Sequence, residues 1–383
     1  MKISFFDSEN SESTAKNRTP KIPERICLHI LSFLNPNQLS KVSLVNTTWK
    51  ALAEKTKHCM ELMPAIKRIP LLKSYDLGQL GIYPMSGGMT NCTFKIRLRK
   101  KTKWVLRVPG DGATAFVDRK MEDNNARQAS DLQINVTIDF FDKNDGLQLT
   151  RYLESKTVKE ELQENPLILI AVAEVLKRLH TSALFPNTIN LFTRNKQLLD
   201  LLKNTHPKIL PNDFKAIEAR MDEIEALIAH YKIPLSPCHN DATLSNFLVS
   251  QDPETLQKFV KMLDYEYSAS GDLATDLAYF IWDGDLCPKH VELFVQSYFG
   301  YCDENLLAWF NLYKPVIGWW YTIWSWTQLA NKANACDPTA YSQLATESYQ
   351  KTKLYLETEE FKQAFNLIDC EIQSATFTGL RSF

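Results

Sequence analysis

Glycine is in short supply, with 12 in 383 residues, under half the usual share of about 7%. That excludes repetitive and low-complexity architectures and gives the adjacent pair Gly87-Gly88 unusual weight. Long apolar runs are missing as well. Leu167–Val172 and Ile317–Trp326 are the best of them, and both fall short of the roughly 20 residues of a membrane span. The N-terminus, MKISFFDSENSESTAKNRTPK, lacks the apolar core and small-residue site of a signal peptide. The eight cysteines, at 27, 59, 92, 238, 287, 302, 336 and 370, never form CxxC, which removes zinc-knuckle and thioredoxin readings. In a chain this long they read as reduced, mostly core thiols of a cytoplasmic protein. There is no excess of either charge: 44 Lys+Arg face 45 Asp+Glu for a net −1. A general nucleic-acid binder is thereby disfavoured. The apolar share of 44% excludes wholesale disorder.

At about 150 residues per domain the length implies two or three folding units. Residues 1–18 are polar and rich in Ser, Asn and Glu, the pattern of a flexible tail. From Thr19, apolar residues at Ile22, Ile26, Ile30, Leu31 and Leu34 take helical spacing. Asn35-Pro36-Asn37 breaks the run, and a second follows through Leu39, Val42, Val45, Trp49 and Leu52. Strand-like patterns begin near residue 75. Thr93–Leu98 and Lys103–Val108 read as a hairpin whose basic turn is a solvated one, and Ile134–Phe141 and Leu147–Tyr152 read as further strands. Phe116–Ser130 between them is helical, and from Pro166 the chain is mostly helical.

The densest polar signal is Cys238-His239-Asn240-Asp241-Ala-Thr-Leu-Ser-Asn246, followed by an apolar strand. Asp264 and Glu266 follow on a strand exit, where alternation puts them on one face. Phosphoryl transfer needs such a set: a carboxylate to orient the attacking hydroxyl, and an amide oxygen with a second carboxylate to hold Mg2+ on the phosphates. Asp241 suits the first role, Asn246 and Asp264 the second. A competing motif, Gly110-x-Gly112-x-x-Ala115 after a strand, fits a dinucleotide fingerprint, but it leaves residues 238–266 unexplained.

CHNDATLSNFLV followed by MLDYEYSASGDLATDLAYFIW closely resembles the choline kinase branch of the aminoglycoside-phosphotransferase-like kinases, the bacterial choline kinases above all. Ser86-Gly-Gly-Met-Thr-Asn91, Trp104–Gly110 and Leu176–His180 agree in order and spacing. The resemblance implies an α+β, bilobal protein-kinase-like fold using ATP and Mg2+. Its phosphate loop is Ser86, Gly87, Gly88, Thr90 and Asn91, and Arg107 takes the place of the kinase lysine with Glu122 as its partner. By the same resemblance His239 belongs to the catalytic set with Asp241, Asn246 and Asp264, as a brace of the loop. Asp276 is scaffold, and Glu266 assists the metal or the substrate amine.

The helix Trp319–Trp326 resembles the family's aromatic site for a quaternary ammonium, a role that cation–π attraction suits. Trp320, Tyr321, Trp324 and Tyr341 are its candidates, with Tyr321-x-x-Trp324 in the register of the family's Trp pair. The substrate implied is a small amino alcohol, choline first, with ethanolamine, thiamine or an aminoglycoside as alternatives.

Residues 19–65 resemble an F-box, a small all-α module that docks on the Skp1 adaptor of a cullin ubiquitin ligase. Ile22, Pro23, Ile26, Leu31 and Leu34 are the expected docking residues. The expected division is tail 1–18, helical module 19–65, N-lobe 66–148 and C-lobe 149–383. A eukaryotic docking module on a bacterial-looking kinase suggests an effector delivered into a host cytosol. A rival reading makes the kinase-like domain a recruiting surface for a ubiquitin-ligase adaptor.

Overall fold

A computed structural model of the chain describes residues 24–85, 91–99, 101–110, 117–331 and 338–374. They fall into two compact units, one within Met1–Gly110 plus Ile138–Tyr152, the other within Asp111–Thr137 plus Leu153–Phe383.

The first unit opens with three helices, α1 (Glu24–Leu31), α2 (Pro36–Val42) and α3 (Thr47–Arg68). The break at Asn35-Pro36 is a start signal: the Asn35 side chain accepts from Gln38 N–H and Gln38 returns the bond, a capping box with Pro at the first helical position. Asn46 caps α3 by accepting from Trp49 N–H. Leu31, Leu39 and Ala53 form a small core, with Leu34, Val42, Trp49 and Leu52 packed against it. This corrects two docking assignments. Leu31 is buried and Leu34 leans on the same core, so both hold the module together. Ile26 is exposed as expected, joined by Ile30, Phe33, Leu44 and Val45. Ile22 and Pro23 lie outside the described residues.

The second half of α3 does not stop at the module. Cys59, Leu62 and Ile66 share one core with a five-stranded antiparallel sheet, alongside Ile82, Phe94, Ile96, Leu106 and Leu149. The strands are β1 (Leu80–Pro84), β2 (Asn91–Leu98), β3 (Lys101–Pro109), β4 (Ile138–Phe141) and β5 (Gln148–Arg151), in the order β1-β2-β3-β5-β4. The β2–β3 hairpin is the expected one, with Phe94 opposite Leu106 and Ile96 opposite Trp104. Arg68, the last residue of α3, binds Asp142 and Asp145 in the β4–β5 turn.

The strand expected over 134–141 begins only at Ile138, for a physical reason. Ile134 gives its carbonyl to Met262 N–H, and the Asn135 amide donates to Ala126 O, which commits that stretch to the second unit. That unit holds α4 (Arg119–Asp131, capped by Asp118), β6 (Lys156–Thr157), α5 (Val158–Glu164), α6 (Ile168–His180), α7 (Leu191–Thr205) and α8 (Phe214–Ile228). Then follow β7 (Ser236–Cys238), β8 (Phe247–Gln251), β9 (Lys258–Met262) and β10 (Ala269–Gly271). The unit ends with α9 (Ala274–Asp283), α10 (Pro288–Phe299), α11 (Glu304–Ala330), α12 (Pro338–Leu356) and α13 (Glu359–Ser374).

Two small sheets, β10-β7 and β6-β8-β9, carry the polar loop between them in sequence. Helix α11, with α7, α9, α12 and α13 packed on it, is buried over most of its circumference. That explains its continuous apolar and aromatic composition. Gly318 lets α11 approach closely: a Cβ there would overlap Thr352 Oγ1 and stand 2.6 Å from Trp282.

No helix among the described residues is long and apolar enough to cross a membrane. The expectation of mostly core thiols fails. Cys27, Cys59 and Cys238 are buried, but Cys92, Cys287 and Cys370 are exposed and Cys302 is partly so.

Candidate active site

The loop after β7 is held from beneath by one carboxylate. Asp276, in the first turn of α9 and fully buried, accepts from the backbone N–H groups of His239 and Asn240, both at 2.7 Å. It also accepts from His180 Nε2 at 3.0 Å. Burial alone would raise its pKa. The His180 hydrogen bond and charge, with the loop's N–H groups, overcome this and hold Asp276 below the ordinary carboxylate value. The clamp fixes Asn240 in the left-handed region, φ 58°, a conformation that Asn tolerates better than most residues.

His239 is fully buried, and its Nε2–H donates to Leu263 O at 2.7 Å. Burial lowers its pKa, so it stays neutral near pH 7. The ring ties the loop to the exit of β9, the geometry of a brace.

Asp241 projects from the clamped loop. Its Oδ1 accepts from the Tyr279 hydroxyl at 2.8 Å and its Oδ2 from the Asn246 amide at 2.9 Å. Enclosure by protein raises its pKa to about 8. The Tyr279 bond opposes that rise and the charge of Asp264 adds to it. A carboxylate with a pKa near neutrality is suited to general-base work. Asn246 spends its amide N–H on Asp241, which leaves its oxygen as the atom able to meet a cation.

Asn246 and Asp264 are brought together by the β8–β9 hairpin. Phe247 pairs with Met262, and Leu263 N–H donates to Asn246 O at 2.8 Å, so the two residues sit at the hairpin mouth. Asp264 is itself left-handed, φ 65°. It forms a carboxylate group with Glu122 of α4 and Glu266, each offering an oxygen within 4.8 Å of the others. Arg119 binds Glu122 at 2.5 Å and reaches Glu266 at 3.5 Å. These hard oxygen donors, with the Asn246 oxygen, suit Mg2+ better than a thiophilic metal.

The expected phosphate-loop residues Ser86, Gly87, Gly88 and Thr90 lie outside the described residues. Asn91 opens β2 and is buried. Arg107 is buried on β3, within 3.3 Å of Gly146 O and 5.9 Å of the Phe141 ring. Glu122, expected beside Arg107, has Arg119 as its partner within its own unit.

The aromatic candidates all belong to the second unit. Trp320 is buried and its Nε1–H reaches the Tyr279 hydroxyl at 3.3 Å, so indole, phenol and Asp241 form one chain. Tyr321 donates to Asp283 Oδ1 at 2.8 Å, while Asp283 Oδ2 accepts from Leu244 N–H in the loop that carries Asp241. Trp324 donates to the Tyr267 hydroxyl at 2.9 Å and meets the Tyr341 ring edge-on at 5.6 Å. Tyr341 is buried against Trp324.

Sequence reasoning missed Tyr267, Tyr279, Asp283, Arg119 and Arg194. Tyr279 had a usable signal: it lies three residues after Asp276 on α9, on the same helix face.

A family model described as choline/ethanolamine kinase matches residues 82–286, more than half of the chain. The chain belongs to the choline/ethanolamine kinase family. An F-box-like model matches residues 19–58. Protein LicA of Haemophilus influenzae is 30% identical over 219 residues, covering 55% of this chain and 61% of LicA. The chain thus spans about three fifths of that relative.

A crystal structure of a choline/ethanolamine kinase family protein from Mesorhizobium loti superimposes with TM-score 0.67 at 26% identity, over 82% of this chain and 99% of that one. The GDP complex of an aminoglycoside 2'-phosphotransferase matches with TM-score 0.54 at 12% identity, over 81% and 99%, a likeness of fold alone. The kinase-like α+β fold expected from the family's sequence is the one found.

Proposed function

We propose that this member of the kinase family transfers the γ-phosphoryl group of ATP to the hydroxyl of a small amino alcohol of the choline class. One observation carries the reading: Asp241 is held by Tyr279 and Asn246 at the mouth of the hairpin that brings Asn246 beside Asp264. The acceptor oxygen bonds to the γ-phosphorus as the bond from that phosphorus to the β–γ bridging oxygen breaks. ADP leaves, and the hydroxyl proton passes to Asp241. Asn246 and Asp264, with Glu266 or Glu122, would hold Mg2+, which supplies neutralisation of the phosphate charge. Residues 86–91 and Arg107 are assigned to the nucleotide phosphates, and the aromatic face of α11 to the acceptor.

An ADP-coupled assay with choline, ethanolamine, thiamine, homoserine and aminoglycosides tests the reading. Acceptor-dependent ADP release that is lost in Asp241→Asn supports it. Equal release by that variant refutes it.

A second role is favoured by a separate observation. The helical module exposes Ile26, Ile30, Phe33, Leu44 and Val45, a set of large apolar side chains on α1 and the turns that flank α2. We propose that this face docks on Skp1 of a cullin ubiquitin ligase, and that the protein acts in a eukaryotic host cytosol as an effector. Capture of Skp1 from host lysate, abolished by Phe33→Asp, is the expected result. Unaltered capture by that variant places docking elsewhere.

A further inference from the structure

The Trp320 ring, a candidate wall for a substrate ammonium, already carries a cation. Arg194, in the first turn of α7, places its guanidinium carbon 3.5 Å from the centroid of the Trp320 ring and 6.0 Å from that of Tyr267. Its Nε, Nη1 and Nη2 are all buried, and none has a hydrogen-bond partner among the described residues. Burial lowers its pKa to about 10, with the neighbouring Tyr279, Tyr267 and Asp241 working the other way, so it remains a cation at neutral pH.

Two features of chemistry follow. A trimethylammonium cannot share that ring face with a guanidinium without like-charge repulsion in a poorly solvated place. Nor can it satisfy Arg194, because it carries no acceptor atom. A carboxylate can, since its two oxygens match the planar fork of the guanidinium. A monoanion also balances one arginine, whereas a phosphate dianion would bring further negative charge toward Asp241, Asp264 and Glu266. The site is close to the reacting group: Trp320 donates to Tyr279 and Tyr279 to Asp241. Arg194 also feels the charge of Asp241, so the stacked guanidinium and the proposed base belong to one neighbourhood.

We infer that the phosphoryl acceptor is a carboxylate-bearing amino alcohol, a hydroxy amino acid in chemical class, and that Arg194 stacked on Trp320 is the residue that selects it over bare choline or ethanolamine. The inference rests on the phosphotransfer reading and, within it, exchanges the bare choline-type headgroup for one that also bears a carboxylate. The transfer is the one written above, with the side-chain hydroxyl of the acid as the attacking oxygen.

L-Serine is ethanolamine with a carboxylate added, and L-homoserine is its one-carbon extension, so these form the test panel with ethanolamine and choline. Expected for the wild type is a kcat/KM for L-serine or L-homoserine at least tenfold above that for ethanolamine and choline. Arg194→Gln lowers the acid-to-amine ratio at least 30-fold, and Arg194→Lys restores part of it. A merely structural role would lower both rates together and leave the ratio unchanged, which overturns the inference. So does a wild-type preference for choline or ethanolamine.

Binding separates this from failure of the phosphotransfer reading. If no acceptor is phosphorylated, that reading falls. Calorimetric binding of L-homoserine to wild type, lost in Arg194→Gln, then still supports the carboxylate site, and absence of binding of both acids overturns it.

Discussion

Asp276 offers a sharp test of how the active loop is built. Its carboxylate is fully buried and accepts three hydrogen bonds, from His239 N–H, Asn240 N–H and His180 Nε2. Asp276→Ala strands all three donors inside the protein. Each unmet buried donor costs about 1–3 kcal/mol, and breaking a buried network around an ionised carboxylate by removing that carboxylate costs about 3–5 kcal/mol. The second estimate is the better guide because the site relaxes, so a loss of about 4 kcal/mol is expected.

For a unit of this size each kcal/mol moves the melting point by about 2–4 °C, giving a drop of roughly 8–16 °C. Asp276→Asn keeps one acceptor oxygen and should lose about half as much. Tryptophan fluorescence is a suitable probe, since Trp309, Trp319 and Trp320 are buried on α11 in the unit that contains Asp276. The loop's left-handed Asn240 also loses its anchor, so turnover of any substrate should fall further than stability alone dictates. If Asp276→Ala melts within about 3 °C of the wild type, the clamp is not what holds the loop.

Three further outcomes are expected. Arg68 hydrogen bonds hold Asp142 and Asp145 below the ordinary carboxylate value; their stabilisation is complete above that value and lost as pH falls through the lowered ones. Arg68→Ala should therefore cost about 1 kcal/mol of urea stability at pH 7 for this partly exposed cluster, a difference shrinking to nothing well below pH 3.8. Gly318→Ala forces a methyl into Thr352 and Trp282 and should destabilise the helical unit by about 1–3 kcal/mol in thermal melts. Phe33→Asp, at a residue 76% exposed, should leave the melting curve unchanged while removing Skp1 from a pull-down, whereas Leu39→Ala in the module core should lower stability.

How much of this was legible follows from how the chemistry is spread along the chain. Asp241 and Asn246 lie in one contiguous loop, and Asp264 follows a hairpin whose pairing puts it back beside Asn246. Local spacing therefore carried that information. Arg194 lies far upstream in an ordinary helical turn, and no spacing joins it to Trp320, because their meeting depends on the packing of α7 on α11. Composition shows the rings of the aromatic helix and not the cation that already sits on one of them.

The same limit explains Leu31 and Leu34. Helical periodicity marks an apolar face without saying whether a small core or a partner covers it. The continuation of α3 into the sheet core was hidden because Cys59, Leu62 and Ile66 obey the same period as the module that precedes them. The cysteines failed by composition alone, since being reduced does not require being buried.

The central claim is that Asp241 activates an acceptor hydroxyl for phosphoryl transfer. Its most direct test is the rate of acceptor-dependent ADP formation by wild type and Asp241→Asn, with the acceptor panel above and Mg2+ present. The account predicts turnover in the wild type and a loss of at least about a thousandfold in the variant, with the fold intact by circular dichroism. Comparable rates in the two proteins, or no acceptor-dependent ADP from the wild type, would contradict it.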